Sequence, residues 1–239
     1  MRTFGYLLLS AMLIIGCAPL KQKGNTEKHM PFLGDIGKHS KSLLHSQFHK
    51  VGSPELKSPI ALSAIAVSFD RSKFKKYTEI RSAYGESPIA TQPDSLIGTL
   101  KYVCLEIADK IGIREALNHD SNTAVISYLA TDTDYVLVSK IAIMVNEATR
   151  KELTTAETLF LMDDANGQII VQAIRGTSKS YIDLSSEEIF DFEVSGFCWG
   201  ETVYGQKRIE TLTSNGESCP RGTQRKAYKL DETKDYSKL

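Results

Sequence analysis

The stretch Thr158–Ile174, TLFLMDDANGQIIVQAI, decides the kind of fold that the sequence predicts. Two apolar runs, 158–162 and 168–174, flank the turn-forming residues Asp163–Gly167. Asn166 and Gly167 tolerate positive φ, which a tight reversal between antiparallel strands requires. The sequence therefore predicts a β-hairpin at this position.

Further strands are predicted on both sides of the hairpin. Runs rich in β-branched and apolar residues indicate strands at 60–69, 123–129, 135–145 and 189–197. The runs 60–69 and 135–145 could also be helical, because short apolar runs do not distinguish a strand from a buried helix. No internal repeat is present.

One long amphipathic helix is predicted upstream of these runs, from a cap at Asp94 or Ser95 to about Asn118. Cys104 falls on its apolar face, so we expect a buried small hydrophobe rather than a reactive thiol. The fold class is accordingly α/β or α+β, mainly antiparallel strands with one long helix. The apolar positions recur at steps of three and four: Leu96, Leu100, Val103, Ile107 and Ile111.

The N-terminus has the pattern of an export signal. Arg2 is followed by a short apolar run at 6–15 and by Gly16. A run of this length is too short to span a bilayer, which takes about 20 residues of helix. The sequence therefore predicts a signal peptide that is removed.

The junction Ile14–Cys17 resembles the lipobox of bacterial lipoproteins, whose cysteine is acylated and becomes the new N-terminus. The resemblance implies a lipid on Cys17 and a place in the cell envelope. Ala18 after the cysteine favours the outer membrane in a diderm, on either face. The alternative is an ordinary secretory signal with a cysteine at this position by chance.

The sequence divides into four predicted parts: signal peptide 1–16, lipidated flexible tether 17–59, globular domain 60–212 and polar tail 213–239. Residues 18–59 contain seven lysines and only three carboxylates, so this part is basic. The whole chain has zero formal net charge, so composition gives no electrostatic case for nucleic acid. The expected partner is the membrane itself, reached through the lipid.

Four cysteines fit an oxidising compartment. With Cys17 reserved for lipid, the remaining three cannot all pair. Cys198 and Cys219 lie in loop-rich sequence near the end of the chain, where a disulfide would close a short loop. Histidines are concentrated ahead of the predicted domain, without cysteines or carboxylates to complete a tetrahedral set, so no metal or cofactor is predicted. They are His29, His39, His45 and His49, with His119 inside the domain.

The exit of the hairpin resembles a known enzyme family over about 158–200. Residues 163–177, followed by Tyr181–Leu184 and Val194–Phe197, resemble the early part of a class 3, fungal-type lipase domain. That family has a strand pair ending in Arg-Gly-Ser/Thr, then aromatic-x-x-Asp-Leu and Val-His-x-Gly-Phe steps. Its members are α/β-hydrolases that cleave lipid esters, so the resemblance implies a lipid or ester ligand.

The resemblance also implies roles for individual residues. Thr177 would donate to the oxyanion of an acyl-transfer reaction, which needs preorganised donors. Gly176 would permit the close turn, and Arg175 would be structural, with Asp183 as its partner. Gly196 and Phe197 complete the motif, although Arg-Gly-Thr by itself is a common strand-to-loop tripeptide.

The catalytic residues of that family are missing from this sequence. Ser195 stands where the family has histidine, Tyr181 replaces tryptophan, and the loop before Asp183 is short. The chain contains no Gly-x-Ser-x-Gly nucleophile motif and no histidine after Thr177. A serine mechanism needs a base within hydrogen-bond reach of its nucleophile.

Two functions therefore remain open. The first is a lipid-anchored envelope protein that resembles a truncated lipase, α/β-hydrolase-like but incomplete, without independent catalysis. The second is a non-enzymatic envelope binding or structural lipoprotein with an unrelated α+β module. A third possibility is that the chain is one piece of a split gene.

Overall fold

The computed structural model describes residues 30–41, 46–85, 97–214 and 216–232. The strands are β1 Ile36–Lys41, β2 Ser46–Gly52, β3 Ile60–Ser68, β4 Lys101–Ile107, β5 Tyr135–Met144, β6 Thr158–Asp163, β7 Ile169–Arg175, β8 Ser178–Ile182, β9 Glu188–Glu201 and β10 Lys207–Ser214. The helices are α1 Arg71–Ala83, α2 Lys110–Asn118, α3 Thr123–Leu129, α4 Glu147–Thr155 and α5 Lys229–Glu232, with a short 3-10 helix at Asp120–Asn122.

The ten strands form one antiparallel sheet in the order β10-β9-β5-β4-β3-β6-β7-β8, and β2 joins it through β1. β5 pairs with β9 along one edge. On its other edge β5 first pairs with β1, through Tyr135–Leu137, and then with β4, through Lys140–Ile143. The sheet therefore forks at the middle of β5.

The fold is α+β with mainly β content, so the predicted α/β-hydrolase class is wrong, as is the long amphipathic helix. Residues 101–107 form β4, and the helix α2 covers 110–118 alone. Every second side chain of β4, at Val103, Leu105 and Ile107, points into the main core. The backbone of β4 forms its hydrogen bonds with β3 and β5. Ile111, which the helical pattern placed on the apolar face, is 67% exposed. Pairing between distant strands thus overrides a helical spacing.

The hairpin of β6 and β7 is confirmed, with Gly167 at a φ of +74° in its turn. Strands at 60–69, 135–145 and 189–197 are also confirmed as β3, β5 and β9. The strand predicted at 123–129 is wrong, because these residues form α3. The preceding Asn122 is buried and its side chain binds the backbone of Glu55 and Ala116, which ties the start of α3 to α2.

The folded region begins earlier than predicted, so the boundary of the flexible tether at residue 59 is wrong. β1 and β2 lie inside the predicted tether, and Leu33 and Ile36 are buried in the core. The buried carboxylate of Asp35 accepts hydrogen bonds from Phe32 N at 2.8 Å and Ser53 Oγ at 2.9 Å, and pairs with Lys50 Nζ at 2.7 Å. Asp35 therefore has a structural role, although the composition of residues 18–59 is basic.

The predicted polar tail is also folded over part of its length. Ala227 and Leu230 are buried in the main core. The backbone of Gln224 bonds with that of Trp199 in both directions, at 2.7 and 2.9 Å. The segment therefore continues the packing of β9 beyond the strand itself.

Helix α1 covers a second, smaller core made largely of aromatic rings. Phe69, Tyr77, Tyr102 and Phe190 contact one another there, with ring centroids 4.7 to 5.5 Å apart. The Tyr77 hydroxyl donates to Glu188 Oε2 at 2.6 Å.

The buried Tyr77 phenol is expected to make the free energy of unfolding decrease at alkaline pH. Burial, with the hydrogen bond to Glu188, raises the pKa of Tyr77 to about 12 from an ordinary 10.0. A pKa raised by folding contributes stability in full below the unfolded pKa and loses it as pH rises through the folded pKa. We expect a loss approaching about 2 kcal/mol between pH 10 and pH 12.

The measurement is urea unfolding of the parent and of Tyr77→Phe across that pH range. Tyr77→Phe should remove most of the alkaline slope, whereas Tyr204→Phe at an exposed position should leave it unchanged. An identical slope in all three proteins would contradict the assignment to Tyr77.

Candidate functional site

A crevice of about 340 Å³ lies at the fork of the sheet. It opens beside Ser139, where a register shift between Val138 and Lys140 interrupts the pairing of β5 with β9. β-Bulges of this kind redirect side chains and are over-represented next to binding sites. We name this feature the β5 crevice; β1, β4, β5, β9, β10 and α2 all contribute residues to it.

Part of the β5 crevice is apolar. Ile113 on α2 and Leu137 on β5 are fully buried, and Val194 on β9 is 5% exposed. Leu212 and Phe192 complete this side, and Phe192 also contacts the rings of His39 and Phe48. The apolar wall is thus fixed by packing on both sides of the fork.

The remaining lining carries both signs of charge. Glu106, Lys140 and Glu193 are neighbours in register on β4, β5 and β9. Lys140 Nζ lies 3.2 Å from Glu193 Oε1 and 3.9 Å from Glu106 Oε2. Burial opposes the charge on Lys140, but these two carboxylates raise its pKa overall. Lys110, at the start of α2, adds a second cation to the lining.

Two serines meet at the bulge. The hydroxyl of Ser195 donates to Ser139 Oγ at 2.8 Å. Ser195 stands where the predicted resemblance would require histidine, and its hydroxyl donates to another hydroxyl rather than to a base. An activated nucleophile needs an imidazole, carboxylate or amine in that place.

The structure does not bring the residues of the lipase-like motif together in one site. Arg175 pairs with Ser178, so Gly176 and Thr177 form the two-residue turn between β7 and β8. Gly176 adopts a φ of +57°, and Thr177 is exposed. Gly176 and Thr177 therefore belong to a hairpin turn, in which glycine is a favoured residue.

The other motif residues have local roles. Asp183 Oδ1 accepts the Ser185 N–H at 2.8 Å in a tight turn, a bond that lowers the pKa of Asp183. Gly196 lies under the guanidinium of Arg225, and a side chain at this position would require that flexible group to move. Phe197 is buried in the main core.

Cys198 and Cys219 are joined in a disulfide. Cys104 is free and partly buried on β4 rather than on the predicted helix. Burial raises the pKa of its thiol, which disfavours the reactive thiolate at neutral pH. Cys17, His29 and His45 lie outside the described residues. Within the described ranges, no group of three or more His, Cys, Asp or Glu side chains could hold a metal ion.

The charged residues of the β5 crevice were not recognised from the sequence. Glu106 fell within the predicted helix, and Lys140 and Glu193 fell within predicted strands. Three charged residues inside apolar runs were the only available signal. Their mutual pairing depends on strand order, which local patterns do not encode.

No protein-family model, curated protein or solved structure matches this chain. Among the residues that the structure covers, no helix is both long enough and apolar enough to cross a bilayer. The features that bear on function are therefore the predicted export signal and the β5 crevice.

Proposed function

We propose that this chain is a lipid-anchored protein of the cell envelope, held through Cys17, whose folded domain binds a small amphiphile without catalysing its turnover. The lipobox-like Ile14–Cys17 supports the anchor, and Ala18 favours the outer membrane. The β5 crevice supports the binding role.

The main observation in favour of binding is that the crevice combines an apolar wall with both positively and negatively charged side chains. Phe192 and Leu212, which line the crevice and are only partly buried, can accept a short hydrocarbon segment, because burying apolar surface against them is favourable. Lys110 can pair with a phosphate or carboxylate, and Glu106 and Glu193 with an ammonium group. A ligand with one short chain and a zwitterionic headgroup fits both requirements.

The size of the crevice limits the ligand. Small-molecule sites typically enclose roughly 300 to 1,000 Å³, and this crevice is about 340 Å³. A complete two-chain lipid would exceed that volume. The proposed ligand is therefore a single-chain amphiphile or the headgroup end of one.

The bond from Ser195 to Ser139 supports a role without catalysis, because the hydroxyl that faces the crevice has another hydroxyl as its acceptor. Thr177 supports the same view, because it lies in the turn between β7 and β8 and does not line the crevice, whereas an oxyanion donor must lie beside the reacting carbonyl. Incubation with short-chain nitrophenyl esters should give no turnover. Turnover that Thr177→Val abolishes would overturn this part of the proposal.

The binding role is tested by titrating the mature chain, carrying Cys17→Ser, with hexylphosphocholine. Resonances of residues lining the β5 crevice should shift in heteronuclear NMR spectra. Lys110→Glu should weaken binding by about tenfold, because it replaces the cation that meets the phosphate.

Lys151→Glu on α4 is the matched control, since Lys151 is exposed and does not line the crevice. It should bind like the parent. Absence of saturable shifts in the parent, or equal weakening by both reversals, would overturn the site.

A further inference from the structure

The hairpin joining β9 and β10 ends in two adjacent exposed apolar side chains. Val203 is 95% exposed and Tyr204 is 88% exposed, more than any other large hydrophobic residue among those described. Single exposed apolar residues are common on protein surfaces. Two neighbours at the point of a hairpin form a projecting feature, which we name the β9–β10 tip, residues Thr202–Gln206.

The β9–β10 tip is held in shape by its own hydrogen bonds. Thr202 N donates to Gln206 O and Gly205 N donates to Thr202 O, both at 2.9 Å. The Thr202 hydroxyl oxygen also accepts the N–H groups of Tyr204 and Gln206. Gly205 supplies the positive φ, +76°, that the turn requires. Because the turn is ordered in advance, burying its side chains costs little conformational entropy.

A basic segment lies beside the tip. Pro220–Leu230 contains four cations, Arg221, Arg225, Lys226 and Lys229, and is followed directly by Asp231 and Glu232. Backbone bonds join Gln224 to Trp199 near the end of β9, and Asp231 pairs with Lys207 at the start of β10. These two links place the segment against the base of the tip.

The cations of this segment differ in their partners. Arg225 donates to the carbonyl of Glu217 and covers Gly196. Lys226 Nζ lies 5.6 Å from the ring of Tyr228, itself 46% exposed. Within the described part of the chain, Arg221, Lys226 and Lys229 have no carboxylate partner. The surface next to the tip thus has positive charge available for an external anion.

We propose that the β9–β10 tip and this basic segment dock the domain on an anionic lipid surface. Val203 and Tyr204 would enter the headgroup region, where tyrosine is favoured, while Lys226 and Lys229 would contact lipid phosphates. Each lysine or arginine near an anionic leaflet contributes about 1 kcal/mol of attraction. The inference rests on the envelope location proposed above. A lipid on Cys17 would hold the chain at a membrane but would not determine which surface of the folded domain faces the bilayer.

The shape of the feature favours a bilayer over a protein partner. A stable protein interface buries about 800 Å² on each side, which a narrow tip of two side chains does not offer. Interfacial insertion needs only a few apolar side chains with basic neighbours. Binding sites for soluble proteins would instead present a broad patch.

The test is co-sedimentation of the mature chain carrying Cys17→Ser with vesicles, so that acylation plays no part. Vesicles of phosphatidylglycerol and phosphatidylcholine in equal proportion should bind the protein at low salt. Pure phosphatidylcholine vesicles should bind it at least about tenfold more weakly, and high salt should release it. The double variant Val203→Ser, Tyr204→Ser should also lose at least about tenfold in affinity.

The matched control is Val51→Ser, Tyr181→Ser, the same residue types at exposed positions on other strands. It should bind like the parent, whereas Lys226→Glu, Lys229→Glu should bind as weakly as the tip variant. Failure of the parent to bind, salt-insensitive binding to both vesicle types, or equal loss in the tip and control variants would each overturn the proposal. Because the acyl chain is absent, these outcomes are independent of whether Cys17 is lipidated.

Discussion

Replacing Cys17 with serine is expected to move the protein from the membrane fraction to the soluble fraction almost completely. Each buried methylene of an acyl chain contributes about 0.8 kcal/mol, and two or more chains give stable anchoring. The β9–β10 tip alone would give weaker attachment that salt reverses. Membranes washed at high salt should therefore retain the parent and lose the Cys17→Ser variant.

Cys104→Ser is the control for this fractionation, because it removes a thiol without touching the lipobox. It should remain with the membranes. A Cys17→Ser protein that stays in washed membranes would show that another feature of the chain holds it there.

Removing the disulfide, with Cys198→Ala and Cys219→Ala together, is expected to lower the free energy of unfolding by about 3 kcal/mol. The bond closes a loop with a sequence separation of 21, so it limits the conformations of the unfolded chain. It also ties the end of the chain to β9 next to the buried Trp199. Urea unfolding of the oxidised parent and of the double variant measures the difference.

Cys104→Ala again provides the comparison, because Cys104 is only partly buried and forms no disulfide. It should cost no more than about 1 kcal/mol. Equal stabilities of the parent and the disulfide variant would indicate that the C-terminal segment is held by packing alone. The Trp199 to Gln224 bonds and the burial of Leu230 would then account for its position.

The parts of the fold that could be predicted from the sequence are those fixed by neighbouring residues. Gly167, with its positive φ, and the carboxylate of Asp164, which accepts the N–H groups of Asn166 and Gln168, fix the turn between β6 and β7 locally. The helix predicted from Asp94 or Ser95 to about Asn118 is wrong because its apolar residues belong to two different elements. Val103 and Ile107 pack through β4, and the chain then changes direction at Asp109, which caps α2.

The N-terminal strands show a second limit of local reasoning. Lysines and small polar residues made 17–59 resemble a tether, yet Asp35 holds Phe32, Lys50 and Ser53 together from the inside. The burial of Asp35 is evident only from its hydrogen-bond partners in the structure. The amino-acid composition of the segment does not distinguish a buried acid from exposed ones.

The candidate site was beyond prediction for a related reason. Lys140 meets Glu106 and Glu193 because β4, β5 and β9 are neighbours, although Glu106 lies far from Glu193 in the sequence. The bulge at Ser139 has no sequence signature of its own. Arg175–Thr177 illustrates the opposite problem. Its local sequence resembled part of an enzyme site, but in the structure it leads into a turn of an antiparallel sheet.

The lipid proposed on Cys17 is tested most directly by the intact mass of the protein extracted from its own membranes. We predict a chain that begins at residue 17 and carries added mass corresponding to a diacylglyceryl group and an acyl chain. A chain that still begins at Met1, or one with an unmodified thiol at Cys17, would contradict the claim.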